Sequence, residues 1–395
     1  MLFGVWLVYT CFGMAVYSMA PLVEPIANDL GLSLGEMGTV MGAWPLVYIG
    51  MAVPAGALLD RIGVRPALLI ATVVITVSVT IRSAANGFFV LFFAVALFGV
   101  GGPLVSIGAP KLIASWFEGK ERGLAIGIYS TGPTLGAVTA LSLTNAVLMP
   151  MTGYDWRATL LVYASIAALA GVVWLFISHR PAGRLHDPAD ISGGTLRTQL
   201  AVFARLLRVP AVRLVLLLAV GVFIFNHALN NWLHEILRTG GMDATRAGFW
   251  ASVPNVVGTA AALTLPRIAI GHRRIPLLLT TALIAAASTL LIAYADGGWL
   301  GFGLVLQGIA RGSMIPIAMF VLMEIREVDP RVMGAAGGLF YTAAEIGGVI
   351  GPTMTGVMAD AAGGFAAPLI TLTLISLLCA VLVLALGHSI RAQRT

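Results

Sequence analysis

Apolar runs of about twenty residues, each long enough to cross a hydrocarbon core of about 30 Å as a helix, recur along this chain between short polar clusters. Counting each run as one span predicts helices near 2–22, 37–58, 67–84, 88–114, 123–148 and 157–178. Six more follow near 211–233, 246–265, 276–294, 298–322, 332–358 and 365–387. Helices this apolar on all sides have no water-facing stripe, which excludes a soluble helical protein with a large core. The expected class is an all-α membrane protein. Composition agrees: 59% of residues are hydrophobic, 10% are charged and the mean hydropathy is +0.96, against about 25% charged residues in soluble domains.

A net charge of +6 raises the question of a nucleic-acid partner. The positions of the basic residues answer it, because in membrane proteins Lys and Arg gather on the cytoplasmic side. With the polar hairpin around Asp60 inside, only Arg82, Arg157, Arg238 and Arg246 of the 23 Lys and Arg residues fall outside, and Arg311 falls within a span. An even number of spans then leaves both termini cytoplasmic, and no nucleic acid is expected. The 17 acidic residues divide evenly between the two sides apart from Glu345, as they should if carboxylates contribute little to orientation. Cys11 and Cys379 lie inside apolar runs, so neither a disulfide framework nor a metal site is expected. The run from Leu2 has no basic residue before it and reads as a retained helix, not a signal peptide.

Two of the runs are joined by Gly56 to Pro66, which reads GALLDRIGVRP. Asp60, Arg61 and Arg65 with Gly56, Gly63 and Pro66 cannot lie in hydrocarbon, so a tight hairpin at a membrane surface is expected. Its GxLxDRxGxRP pattern resembles the signature between helices two and three of the major facilitator superfamily of secondary transporters. The resemblance implies twelve transmembrane helices in two pseudo-symmetric six-helix bundles around a central substrate site, worked by alternating access. It also implies a gating role for Gly56, Asp60, Arg61, Gly63 and Arg65. Asp60 is expected to meet the positive N-terminus of helix eleven, which Asp329 and Pro330 open as N-cap and first helical residue. Segments 110–127 (PKLIASWFEGKERGLAIG) and 230–248 (NNWLHEILRTGGMDATRAG) are similar to stretches of the cyanate permease and 2-nitroimidazole transporter branch.

The longest polar interval divides the chain into a bundle at 1–178, a cytoplasmic linker at 179–210 and a second bundle at 211–395. The linker carries Arg180, Arg184, Arg197, Arg205 and Arg208. Within it Leu196, Leu200, Phe203 and Leu207 recur at helical spacing opposite Arg197, Arg205 and Arg208, which predicts a short helix lying on the anionic inner leaflet. GIYSTGPTLGA from Gly127 aligns with GLFYTAAEIGG from Gly338, and LPRIAIGHRRIP from Leu265 repeats the hairpin loosely with Pro266 in place of the acid. Both point to an internal duplication.

Arg311 and Glu345 are the ionisable residues nearest the middle of spans, each about thirteen residues and hence roughly 20 Å from the start of its helix. Facing lipid, either costs about 2.5 kcal/mol or more, so both are expected to face the interior as a binding site or as a structural ion pair. The planar fork of Arg311 suits an anion, and Glu345 can take a proton or release Arg311 from pairing. His227, Asn230 and Asn231 share a helical face beside Asn226. Tyr341, one turn before Glu345, and Asn255 complete the candidate substrate site. Tyr9, Tyr17, Trp44 and Tyr48 could line a cavity, though packing explains such aromatics more often. Gly132, Pro133 and Gly136, like Gly351, Pro352 and Gly356, allow kinks and close helix contact.

No phosphate loop, zinc-protease motif or catalytic constellation is present in the sequence, so an enzyme, a cofactor and a nucleotide-driven pump are not expected. The resulting expectation is a monomeric secondary transporter of the cytoplasmic (inner) membrane for a small organic or pseudohalide anion, with protons as the candidate coupling ion. The rival is a proton-antiporting drug or metabolite exporter, which favours a cavity acid without an arginine.

Overall fold

The computed structural model of the chain describes residues 1–179, 202–328 and 332–392. Hydrocarbon offers no water to backbone amides and carbonyls, so each span closes its hydrogen bonds on itself as a helix. No strand occurs among the described residues. The helices are α1 (Leu2–Tyr17), α2 (Val23–Leu30), α3 (Leu34–Ile62), α4 (Val64–Ser83), α5 (Phe88–Trp116), α6 (Gly119–Leu143) and α7 (Trp156–Ser178). They continue as α8 (Pro210–Thr239), α9 (Ala244–Ile268), α10 (Arg274–Tyr294), α11 (Gly297–Met323), α12 (Met333–Ala362) and α13 (Ala366–Ala392).

Ten helical stretches among the described residues are long and apolar enough to cross a membrane, which makes this an all-α, multi-span membrane protein. The two other expected spans are formed as α9 and α12 but are not among the ten. Charged residues and prolines dilute their apolar character: Arg246, Pro254, Pro266 and Arg267 in α9, Glu345, Pro352 and Asp360 in α12. Most helices outrun the apolar runs that announced them, because the run measures hydrocarbon while helical bonding continues to wherever a cap takes over. A capping box of Ser33 and Glu36, for example, starts α3 before the apolar run begins.

The first span departs furthest from expectation. It reaches Leu30 and is interrupted after Tyr17 by a 3-10 turn at Ala20–Leu22. Two side chains serve the carbonyl freed at the break: Ser18 Oγ donates to Ala15 O at 3.0 Å and Arg82 Nη1 donates to the same oxygen at 2.9 Å. Arg82, expected outside the membrane, is thus 1% exposed in the last turn of α4, with its guanidinium 5.6 Å from the Phe98 ring. A cation at the C-terminal end of α1 complements the carbonyls there, which is the physical reason an arginine can be buried at this point.

The chain forms two compact units, one of Met1–Gly193 with Asn230–Ser252 and one of Gly194–Leu229 with Val253–Thr395. Within the first, α1 packs on α6 and α7, and α5 on α3 and α4; within the second, α10 packs on α11 and α13. Glycine sets the closest approaches. A Cβ on Gly136 would overlap the Thr10 carbonyl of α1, and one on Gly99 would overlap the Trp44 carbonyl of α3. The second unit carries the same pair of contacts, Gly347 on the Val220 carbonyl of α8 and Gly308 on the Pro254 carbonyl of α9. In the expected linker a helical turn at 202–206 includes Phe203 and Arg205. The expected helix positions Leu196, Arg197 and Leu200, and the Asp329 and Pro330 cap, lie outside the described residues.

Gly136→Val should destabilise the protein by about 1–3 kcal/mol through overpacking. Gly123→Ala, where a Cβ meets nothing within 4 Å, should be neutral or stabilising. Thermal melts of the two purified variants in detergent check this, and equal melting temperatures would refute the backbone contact.

Candidate functional site in the second unit

The second unit carries His227, Asn255, Arg311, Tyr341 and Glu345, most of the candidate substrate and proton residues. Gly347 and Gly351 bring α12 against the backbone of α8 at Val220 and Ile224. There His227 Nε2 lies 3.9 Å from Glu345 Oε2, and Phe223 stacks on the imidazole at a centroid distance of 5.4 Å. Glu345 is 6% exposed, and its Oε2 accepts no hydrogen bond among the described residues. On the neighbouring pair, Gly308 and Gly312 of α11 meet α9 at Pro254 and Gly258. Directly between these contacts Arg311 Nη1 donates to Asn255 Oδ1, and Asn255 is itself 6% exposed.

Arg311 and Glu345 therefore have different partners and form no ion pair with each other among the described residues. Tyr341 lies one turn before Glu345 but is 45% exposed. Asn230 and Asn231, the latter buried, lie one turn beyond His227 on the same helix, and the division between the two compact units falls just before them. Two further amides are buried: Gln307, one turn before Arg311, which sequence reasoning missed, and Asn226, which it placed beside His227 without a role. Among the described residues, Gln307 Oε1 and both side-chain polar atoms of Asn226 find no hydrogen-bond partner. Their signal was the four-residue step from Arg311 for Gln307 and a polar residue in an apolar run for Asn226.

The Gly56–Pro66 hairpin is as tight as its composition requires. Asp60 and Arg61 end α3, Gly63 alone links the helices at φ 82°, and Arg65 and Pro66 lie in the first turn of α4. Gly56 is in α3 with open space around its Cα. Asp60 Oδ1 accepts from Lys111 Nζ of α5 at 2.6 Å, a partner the motif did not announce. The Arg65 carbonyl accepts from Trp174 Nε1 at 3.0 Å, which ties the hairpin to α7.

The sequence profile of the Major Facilitator Superfamily matches residues 5–325 and 233–394. The chain belongs to this superfamily. It is a secondary transporter and not an enzyme. It is 24% identical over 390 residues to the 2-nitroimidazole transporter of Escherichia coli (strain K12), covering 98% of this chain and 94% of that one. To the hexuronate transporter of Bacillus subtilis (strain 168) it is 23% identical over 372 residues, 88% of this chain and 83% of that one. The crystal structure of a bacterial homolog of the human lysosomal transporter Spinster shares the fold, with a TM-score of 0.80 at 17% identity over 99% of this chain and 97% of that one.

Asp60 and Lys111 are each about a third exposed, so their pair should contribute less than about 1 kcal/mol. Asp60→Asn is expected to leave the melting temperature of this transporter nearly unchanged. A large drop in a thermal melt would mean that the pair is structural.

Proposed function

We propose that this superfamily member carries a small organic or pseudohalide anion on Arg311, with Glu345 exchanging the coupling proton. The observation that carries the reading is the separation of partners: a permanently charged planar fork aligned by a neutral amide, and a buried acid facing an imidazole. Asn255 holds one edge of the guanidinium and so orients the fork for a carboxylate or similar anion. Glu345, desolvated and without hydrogen bonds on one oxygen, gains most from a proton when no cation is beside it. His227 and Tyr341 contribute further polar groups to this unit's site. A hexuronate is a carboxylate, so that relative supports an anionic substrate, while the match to the 2-nitroimidazole transporter supports a place near that branch.

The chain crosses the cytoplasmic membrane twelve times, with α9 and α12 as the remaining spans. Its bundles are 1–178 and 211–395, joined by the linker 179–210, both termini are cytoplasmic, and it works as a monomer. The skew of Lys and Arg supports this orientation. The hairpin residues Gly56, Asp60, Arg61, Gly63 and Arg65 gate the cytoplasmic side. Asp60→Asn accordingly impairs uptake by a protein that still folds, and near-normal flux from it would count against the gate.

A thermal-shift screen of sugar acids, smaller carboxylates, cyanate and nitroaromatics identifies the ligand; at 100 times its dissociation constant it stabilises by about 2.7 kcal/mol. Arg311→Lys should fold normally but bind the anion about tenfold or more weakly, having lost a charge-assisted fork. Arg311→Met combined with Glu345→Gln leaves neither charge in the site, and anion binding that survives this change would sink the assignment. In proteoliposomes, uptake by Glu345→Gln should no longer respond to an imposed proton gradient. An unaltered response removes Glu345 from the mechanism.

A further inference from the structure

Beyond a π-turn at Thr144–Leu148, α6 ends in one short helical turn, Met149–Met151, and the chain reverses through 152–155 into α7. The reversal is held from within. Tyr154 N donates to the Met149 carbonyl at 2.6 Å, and the hydroxyls of Thr152 and Thr159 lie 2.8 Å apart. From here a groove of about 460 Å³ runs down α7, lined by Thr152, Ala158, Leu161, Val162, Ile166 and Leu169. Leu161 and Leu169 are exposed, so the groove opens sideways onto hydrocarbon. Ser165, which completes the lining, turns its hydroxyl back to the Leu161 carbonyl at 2.8 Å and offers no free donor.

Its dimensions select the occupant. Ala158 to Leu169 is roughly 17 Å along the helix, about half of a hydrocarbon core of about 30 Å, so the groove is one leaflet deep. Spread over that length, the volume gives a mean cross-section of roughly 27 Å², against about 80 Å² for a helix about 10 Å across. A second copy of the chain cannot seat a span in it; a single extended acyl chain can.

The head of the groove selects the headgroup. Asp155, Ala158, Val162, Ile166 and Leu169 follow one another in steps of three and four, which puts the carboxylate at the top of the same helical face. Asp155 is exposed; it caps α7 by accepting from Arg157 N at 2.8 Å and forms no ion pair among the described residues. The neighbouring Arg157 is neutralised by Asp29 at 2.5 Å. The head therefore carries one uncompensated negative charge, which attracts an ammonium and repels a purely anionic headgroup. Beside it Tyr154, alone among the described non-glycine residues at positive φ (62°), is 72% exposed. A bulky side chain rarely adopts that conformation, and here it presents an amphipathic phenol at headgroup level.

We propose that this groove holds one phospholipid with an ammonium headgroup, phosphatidylethanolamine. One acyl chain lies along α7, the ammonium meets Asp155, and the bilayer leaflet at the end away from the Asp60 hairpin supplies the molecule.

The native protein, reconstituted in equal parts phosphatidylethanolamine and phosphatidylglycerol and re-extracted in mild detergent, is weighed with its bound lipid by native mass spectrometry. It should retain one phospholipid, with phosphatidylethanolamine favoured about two- to fivefold, as one exposed ionic contact allows. Ala158→Phe with Ser165→Phe fills the groove and should lose that lipid. Asp155→Asn preserves the helix cap, because asparagine caps as well as aspartate, and should keep a lipid while the headgroup preference falls to parity. Circular dichroism checks that each variant is folded; should the filled variant fail there, Asp155→Asn decides alone. Undiminished retention in a folded filled variant overturns the site. So does an equal hold on both lipids by the native protein, a preference that survives Asp155→Asn, or a dimer that disappears when the groove is filled.

Discussion

Backbone polar groups that find no water in the membrane decide where this chain can bend. Each interruption of a helix exposes carbonyls or amides, and the protein supplies a side chain for them. The break in the first span is served by Ser18 and Arg82 at Ala15 and by Asn145 at Pro21. The π-turn that presents Asn145 is steadied by the buried hydroxyl of Thr144 against Tyr163. Irregular backbone at such depth is tolerated only where protein groups re-satisfy it, so these polar residues and the breaks they serve depend on each other.

Glycine answers a second constraint. Lipid chains are as apolar as the helices they surround, so helix association relies on close packing, and a Cβ at the tightest points would hold the backbones apart. Gly136 on Thr10 and Gly99 on Trp44 do this in the first unit, Gly347 on Val220 and Gly308 on Pro254 in the second. In the second unit the same contacts have chemical consequences. They set α12 close enough to α8 for Glu345 to face His227, and α11 close enough to α9 for Arg311 to reach Asn255.

The ionic contacts are graded by exposure in a way that suits a moving protein. Asp60 with Lys111 and Glu24 with Arg238 are partly exposed, and such pairs can separate at little cost because water replaces each partner. His227 and Glu345 lie 3.9 Å apart and buried, where a charge on either group needs a proton, a ligand or its neighbour to offset it. Exposed pairs therefore suit contacts that must open, and the buried group suits coupling to what is carried.

Much of this was legible in the sequence, and the reason is the solvent. Hydrocarbon permits few backbone solutions, so apolar runs of sufficient length announced the helices, and Gly63 beside Asp60 and Arg61 announced the hairpin. The same penalty marked Arg311 and Glu345, since a charge in the middle of an apolar run has to be accounted for by the fold. Partners were another matter. Lys111 for Asp60, Asn255 for Arg311 and Ala15 for Arg82 lie on other helices, brought there by packing that pairs residues far apart in the chain. Of the two readings left open for Arg311 and Glu345, a binding site or a structural ion pair, the separate partners speak against the pair for the same reason. Depth along a helix can be counted from the sequence, but the direction in which a side chain points is set by which helix packs against which, and only the tertiary structure decides that.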